Sequence, residues 1–219
     1  MRIIEPSVTI VTPETHLATY LSLLETCGAV AYRDQHTPGP DTASDFVRQR
    51  VIEGGHLSIL EHLSVSARFV CDRSASHQLV RHRLGAYTQE SQRITAYQDI
   101  EVICPPSVRD NPALFADWTE AVQQAEARYR QLLAAGIAPE DARSLLPNCM
   151  STTVVATFNL RQWRHVFLSR ALNPKAQWQI RHLMLELLRQ MNRHLPQVFA
   201  DLEGELLYNF VFKGGAGPA

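Results

Sequence analysis

Twice in this chain a strand-forming run passes straight into a helix, and that change of hydrophobic period restricts the available folds more than any other feature. Leu63, Val65, Ala67 and Phe69 alternate with more polar neighbours, the pattern of a half-buried strand over 63–71, and DRSAS at 72–76 then begins a short helix. STTVVATFNL at 151–160 reads as a buried strand leading into the helix LRQWRHVFLSRAL. Residues 2–11 read as a further strand that Pro6 demotes towards an edge or bulge, and IEVICPP at 100–106 as one stopped by two prolines. No GxGxxG follows a strand, so a Rossmann dinucleotide fold is unsupported. The mixed order of strands and long helices predicts the α+β class.

Helices are expected at four further places. Leu17, Tyr20, Leu21 and Leu24 recur at helical spacing over 14–27, with Gly28 as a stop. After the turn-rich HTPGPD at 36–41, Asp41 or Thr42 can cap a helix carrying Phe46, Val47 and Val51. Asn111 and Pro112 make a cap and first turn for a long helix bearing Leu114, Phe115, Trp118, Val122, Ala125, Tyr129 and Leu132 and ending near Gly136. Asn173 and Pro174 open the last, 174–195, whose stripe of Ile180, Leu183, Leu187, Met191 and Leu195 is ended by Pro196. The length suits one domain over 1–212, with KGGAGPA reading as a disordered tail over 213–219.

A formal net charge of −1 leaves no global basic field for nucleic acid or an anionic membrane, so an anion site must be local. Cys27, Cys71, Cys104 and Cys149 are scattered, with no CxxC and no histidine at metal-ligand spacing; they read as reduced thiols, and no metal site is expected. No cleavable signal pattern and no membrane-length apolar run is visible, so a soluble, cytoplasmic protein is expected.

The densest chemistry lies in HQLVRHRLGAYTQESQRITAY at 77–97. Arg81, Arg83 and Arg93 offer planar forks matched to phosphate or carboxylate oxygens, and Gln78, Gln89, Gln92 and Ser91 offer neutral donors and acceptors for a polar ring edge. Such a set suits a nucleotide; a solvated basic helix face followed by a polar loop is the plainer alternative. On a continuous helix Gln78, Arg81 and His82 stand at i, i+3 and i+4 and share one face. His56 and His62, six residues apart in GGHLSILEH, cannot chelate one metal from one helix face, and Ser58 and Glu61 have the spacing of a capping box.

Arg81, His82 and Arg83, seven further residues and then Ser91 resemble the signature of flavin-dependent thymidylate synthases. Ala86, Glu90 and Ile94 depart from it, standing where a serine, an apolar residue and a tyrosine are usual. Three more blocks resemble that family in order: His56, Ser58, Glu61 and His62; Ala142, Arg143, Leu146 and Pro147; and Asn159 and Arg170 followed by AQWQIR at 176–181, where Gln179 replaces a glutamate.

The resemblance implies an α+β fold with a mixed or antiparallel sheet. It further implies that Gln78, Arg81, Gln89, Glu90, Ser91, Gln92, Arg93, Arg143 and Arg170 hold dUMP, and that His56, Ser58, Arg81, His82, Arg83, Gln89, Asn159 and His165 meet FAD. Methylenetetrahydrofolate would supply carbon and NADPH reducing equivalents, with Arg170 as the catalytic cation at the pyrimidine edge. If Asn159 and His165 both lie on one helix they point about 120° apart, so a shared flavin requires a second copy of the chain. A homo-oligomer, a tetramer as in the family, is therefore expected. A non-catalytic homologue that keeps the nucleotide pocket is the alternative, and an arginine-driven nucleic-acid binder is disfavoured by the charge.

Overall fold

The computed structural model describes residues 1–32, 38–202 and 204. The tail expected over 213–219 lies outside the described residues, as does the start of the 36–41 turn. In chain order the elements are β1 (Arg2–Ile3), β2 (Ser7–Ile10), α1 (Glu14–Leu17), α2 (Tyr20–Tyr32), α3 (Pro40–Asp45), β3 (Ser64–Asp72), α4 (Arg73–Leu79), β4 (Ala86–Gln89), β5 (Glu101–Val102), α5 (Pro106–Arg109), α6 (Pro112–Ala134), α7 (Pro139–Ala142), β6 (Ser151–Asn159), α8 (Leu160–Arg170) and α9 (Trp178–His194). A π-helical segment at Phe46–Glu53 and 3-10 turns at Leu57–His62 and Arg143–Leu145 complete the set.

β2, β3, β6 and β4 form a four-stranded sheet in that order, while β1 and β5 pair in parallel. Between β3 and β6 the pairing is antiparallel: Leu160 N–H donates to Leu63 O, Arg73 N–H to Met150 O, and the Ser66 and Thr157 hydroxyls meet at 2.7 Å. The α+β expectation, with a mixed or antiparallel sheet, holds, the antiparallel form being the one seen between β3 and β6. β3 buries Val65, Ala67, Phe69 and Cys71 as its alternation requires. β6, read as a buried strand, alternates too, with Thr152, Val154, Ala156 and Phe158 inside.

The chain forms two compact units. The first comprises Met1–Ser7, Phe69–Arg81 and Thr88–Val154. In it the Asn111 side chain caps α6 by accepting from Ala113 N–H and Leu114 N–H, and Gly136 at φ +85° closes the helix in a conformation that favours glycine. Val122 and Tyr129 of the expected stripe are buried, but Leu114 is exposed. Glu126 is buried on the same helix, its carboxylate accepting from Ile100 N–H and the Met1 amino group, both at 2.9 Å.

The second unit comprises Val8–Arg68, His82–Tyr87 and the chain from Val155. Trp163 of α8 is its aromatic centre, 4.6 Å from Phe158 and 5.7 Å from Phe167 between ring centroids, with Nε1–H donating to Val65 O. α9 buries the expected Ile180, Leu183, Leu187 and Met191 but starts at Trp178, not Pro174, because Gln177 caps it by accepting from Gln179 N–H and Ile180 N–H. α2 runs through Gly28 instead of stopping there. A Cβ at Gly28 would lie 2.5 Å from the Phe46 ring, so this glycine marks a close contact. α3 begins at Pro40, which puts Asp41 in its first turn rather than at the cap.

Candidate functional site

In the first unit the Asp72 side chain caps α4, accepting from Ala75 N–H at 2.6 Å. The helix ends at Leu79 and Arg81 lies in the turn beyond, so the helical face expected to join Gln78, Arg81 and His82 does not form. Arg81 is exposed and meets no carboxylate among the described residues.

β4 then delivers Gln89, whose Nε2 donates to Ser76 Oγ at 3.1 Å and Thr152 Oγ1 at 3.3 Å. The next residue turns inward. Glu90 Oε1 accepts from the Tyr97 hydroxyl at 2.8 Å and Oε2 from Thr153 N–H at 3.3 Å, so a departure from the family pattern pins both ends of the loop that carries Ser91, Gln92 and Arg93. Burial first, and then this carboxylate, push the Tyr97 phenol well above its ordinary value, so it stays a donor. Gln92 Nε2 reaches Met150 Sδ, and Ser91 Oγ accepts from Arg93 N–H at 3.3 Å.

Arg93 and Arg143, predicted from separate motifs, converge on one residue that the motifs did not mark. Arg93 Nε–H donates to Glu140 Oε2 at 2.7 Å, and Arg143 Nε–H donates to Glu140 O at 3.0 Å. Arg93 and Glu140 are both exposed, so this ion pair contributes about 0–1 kcal/mol and a phosphate can displace it. The only hint in the sequence was an acidic residue in the first turn of α7.

In the second unit His82, Arg170 and His165 come together. Arg170 Nε–H donates to His82 Nε2 at 3.1 Å, and the His165 ring stands edge-on to His82 with centroids 6.0 Å apart. Burial, then the Arg170 and His165 charges, pull the His82 pKa from 6.5 down to about 4. The imidazole is therefore neutral near pH 7, with its Nε2 lone pair committed to Arg170 and its proton on Nδ1. Among the described residues neither terminal nitrogen of Arg170 has a hydrogen-bond partner.

Further along, the Tyr87 hydroxyl donates to His82 O at 2.6 Å, and the Tyr87 ring meets Phe158 edge-on at 5.6 Å. Gly85 makes the approach possible, because a Cβ there would lie 2.2 Å from the Phe158 ring and 2.8 Å from Thr157 O. Motif reading did not mark Tyr87; its place between RHR and Ser91 was the available signal.

Asn159 is the cap of α8, not part of the helix. Its Oδ1 accepts from Gln162 N–H at 2.8 Å and its backbone is extended, at φ −69° and ψ 164°. The angle drawn on a continuous helix from Asn159 to His165 therefore does not apply. The 3-10 turn begins after His56, two residues earlier than a Ser58 capping box requires, and Glu61 pairs with Arg161 instead. With Leu160 N–H bonded to Leu63 O, that pair ties the segment carrying His56 and Ser58 to the start of α8, where Asn159 stands. Arg83 is exposed and meets no carboxylate among the described residues.

The nucleotide set thus falls on the first unit, Arg170 excepted, and the flavin set on the second, Arg81 and Gln89 excepted. The second set offers imidazole rings, an amide N–H₂ and an uncommitted guanidinium, a donor chemistry that fits a phosphate-bearing flavin. Among the described residues no group of three His, Cys, Asp or Glu could hold a metal ion, and no helix is long and apolar enough to cross a membrane.

Residues 15–197 match the thymidylate synthase complementing protein family. Flavin-dependent thymidylate synthases of Mycolicibacterium vanbaalenii and Mycobacterium tuberculosis are each 38% identical over 200 residues, spanning 83% of this chain and 79% of theirs. Among solved structures, the UMP/dUMP methylase PolB from Streptomyces cacaoi, bound with 5-Br dUMP, matches with a TM-score of 0.77 at 19% identity, over 93% of this chain and 97% of that one. The same protein bound with 5-Br UMP matches at 0.76, with 94% and 97% covered. At that identity the structural likeness shows the fold.

Proposed function

The chain belongs to the thymidylate synthase complementing protein family, and from that premise we propose that its motif residues hold the two ligands of one reaction. It is a flavin-dependent thymidylate synthase, converting dUMP to dTMP by reductive methylation. Methylenetetrahydrofolate is the carbon donor and NADPH the reductant. Bound and reduced, FAD supplies the hydride that completes the methyl group.

Gln78, Arg81, Gln89, Ser91, Gln92, Arg93 and Arg143 bind dUMP, with the Arg93 and Arg143 forks at its phosphate. His56, Ser58, Arg81, His82, Arg83, Gln89, Asn159 and His165 bind FAD. Glu90 acts from behind them, holding the loop through Tyr97 and Thr153.

The observation that carries this reading is the Arg170–His82 bond. A guanidinium held through Nε by a neutral imidazole presents its other two nitrogens in a fixed direction. There a positive charge stabilises the negative charge that develops on the pyrimidine ring. Ser91 is a binding residue and not a nucleophile, since among the described residues no base is bonded to its oxygen to activate it.

The enzyme works as a cytoplasmic homo-oligomer, a tetramer with shared flavin sites. Leu84 and Leu168 support this, being large apolar side chains left exposed on the unit that carries the flavin set.

Purified protein should be yellow, should oxidise NADPH faster with dUMP present, and should form dTMP only when methylenetetrahydrofolate is added. Yellow protein that binds dUMP yet methylates nothing with every substrate supplied overturns the catalytic reading and leaves a nucleotide-binding homologue.

A further inference from the structure

Hydrogen-bond directions around Gln89 fix which end of its amide faces inward. The Ser76 side chain is fully buried, and its hydroxyl donates to Arg73 O at 2.8 Å. A hydroxyl has one proton, so towards Gln89, 3.1 Å away, Ser76 Oγ acts only as an acceptor. The Gln89 atom it meets must therefore be Nε2. Buried Thr152 shares that nitrogen, its Oγ1 lying 3.3 Å away and also taking a weak contact from Arg73 Nη1 at 3.5 Å. Flipping the amide would set Oε1 against the Ser76 oxygen, and the hydroxyl could serve it only by giving up Arg73 O. Gln89 Oε1 is thus the end of the amide turned away from Ser76, and it keeps its lone pairs as an acceptor.

We propose that Ser76 and Thr152 are positioning residues that lock Gln89 as a hydrogen-bond acceptor, and that this acceptor selects a pyrimidine carrying a proton on N3. Uracil has N3–H as the one donor on its ring edge. Cytosine has a bare lone pair at N3, which a fixed carbonyl oxygen repels. A glutamine free to turn would serve either base, so discrimination comes from the two buried hydroxyls. The inference rests on the placing of Gln89 at the nucleotide.

The test measures dissociation constants of dUMP and dCMP on the purified flavoprotein by calorimetry. Ser76→Ala and the near-isosteric Thr152→Val should each weaken dUMP about 3–10-fold, the worth of one orienting hydrogen bond, and narrow the dUMP-to-dCMP preference. Glutamate accepts at both oxygens and needs no orienting, so Ser76→Ala should have no further effect in a Gln89→Glu background. A Ser76→Ala effect of equal size in both backgrounds, or an unchanged base preference in both hydroxyl variants, overturns the proposal. If Gln89→Ala binds both nucleotides as the wild type does, Gln89 is not at the pyrimidine, and the assignment beneath the proposal falls with it.

Discussion

Replacing His82 by leucine isolates what the imidazole does for Arg170. The substitution removes the Nε2 acceptor at 3.1 Å while keeping an apolar group of similar bulk in a nearly buried position. A hydrogen bond to a charged group contributes about 1.5–3 kcal/mol. Arg170 is partly exposed, so solvent screening reduces this to about 1–2 kcal/mol, a 5- to 30-fold loss in kcat/KM for dTMP formation. The loss should fall on kcat more than on the dUMP dissociation constant, because the orientation of the cation matters most when charge develops. His82→Gln restores an acceptor and should recover most of the loss. The assay is chromatographic dTMP formation with all substrates, alongside flavin content from visible absorbance, since His82 is also assigned to FAD. A His82→Leu enzyme that retains its flavin and turns over at the wild-type rate would refute the reasoning.

Three further outcomes follow. Arg93→Ala and Arg143→Ala should each raise the dUMP dissociation constant roughly 10- to 100-fold, a charge-assisted contact being worth about 1.5–3 kcal/mol, and calorimetry with dUMP checks it. Gly85→Ala drives a methyl into Phe158 and the Thr157 carbonyl, so a cost of about 2 kcal/mol and a Tm lower by about 4–8 °C are expected in a thermal melt. Below pH 6.5 the unfolded chain protonates His82 while the folded one resists down to about 4, so the unfolded state binds more protons in that window. Stability should therefore fall as pH drops from about 6.5 to about 4, and denaturant melts of His82→Leu should show less of that slope.

What the sequence determined by itself was whatever depends on residues within a turn or two of one another. The Asn111 cap and Gly136 close of α6, the alternation of β3 and the stripe of α9 all follow from local period and end chemistry, and the motifs revealed which side chains could meet a nucleotide. Even locally, competing caps were beyond reach: Gln177 took over from Asn173, and Asn159, at the end of the strand run 151–160, proved to be the cap of α8. Tertiary structure decided the partners. Arg170 and His82 lie 88 residues apart, Arg93 and Glu140 47, and Gln89 and Thr152 63. Nothing in local propensity says which acceptor a distant arginine will find. The β3–β6 pairing brings Thr152 to the sheet that carries Gln89, and the path through Gly85 and Tyr87 sets His82 against α8. Charge and hydrogen-bond direction at the site depend on those long-range placements, because a side chain's pKa and its free lone pairs are set by what folding packs beside it.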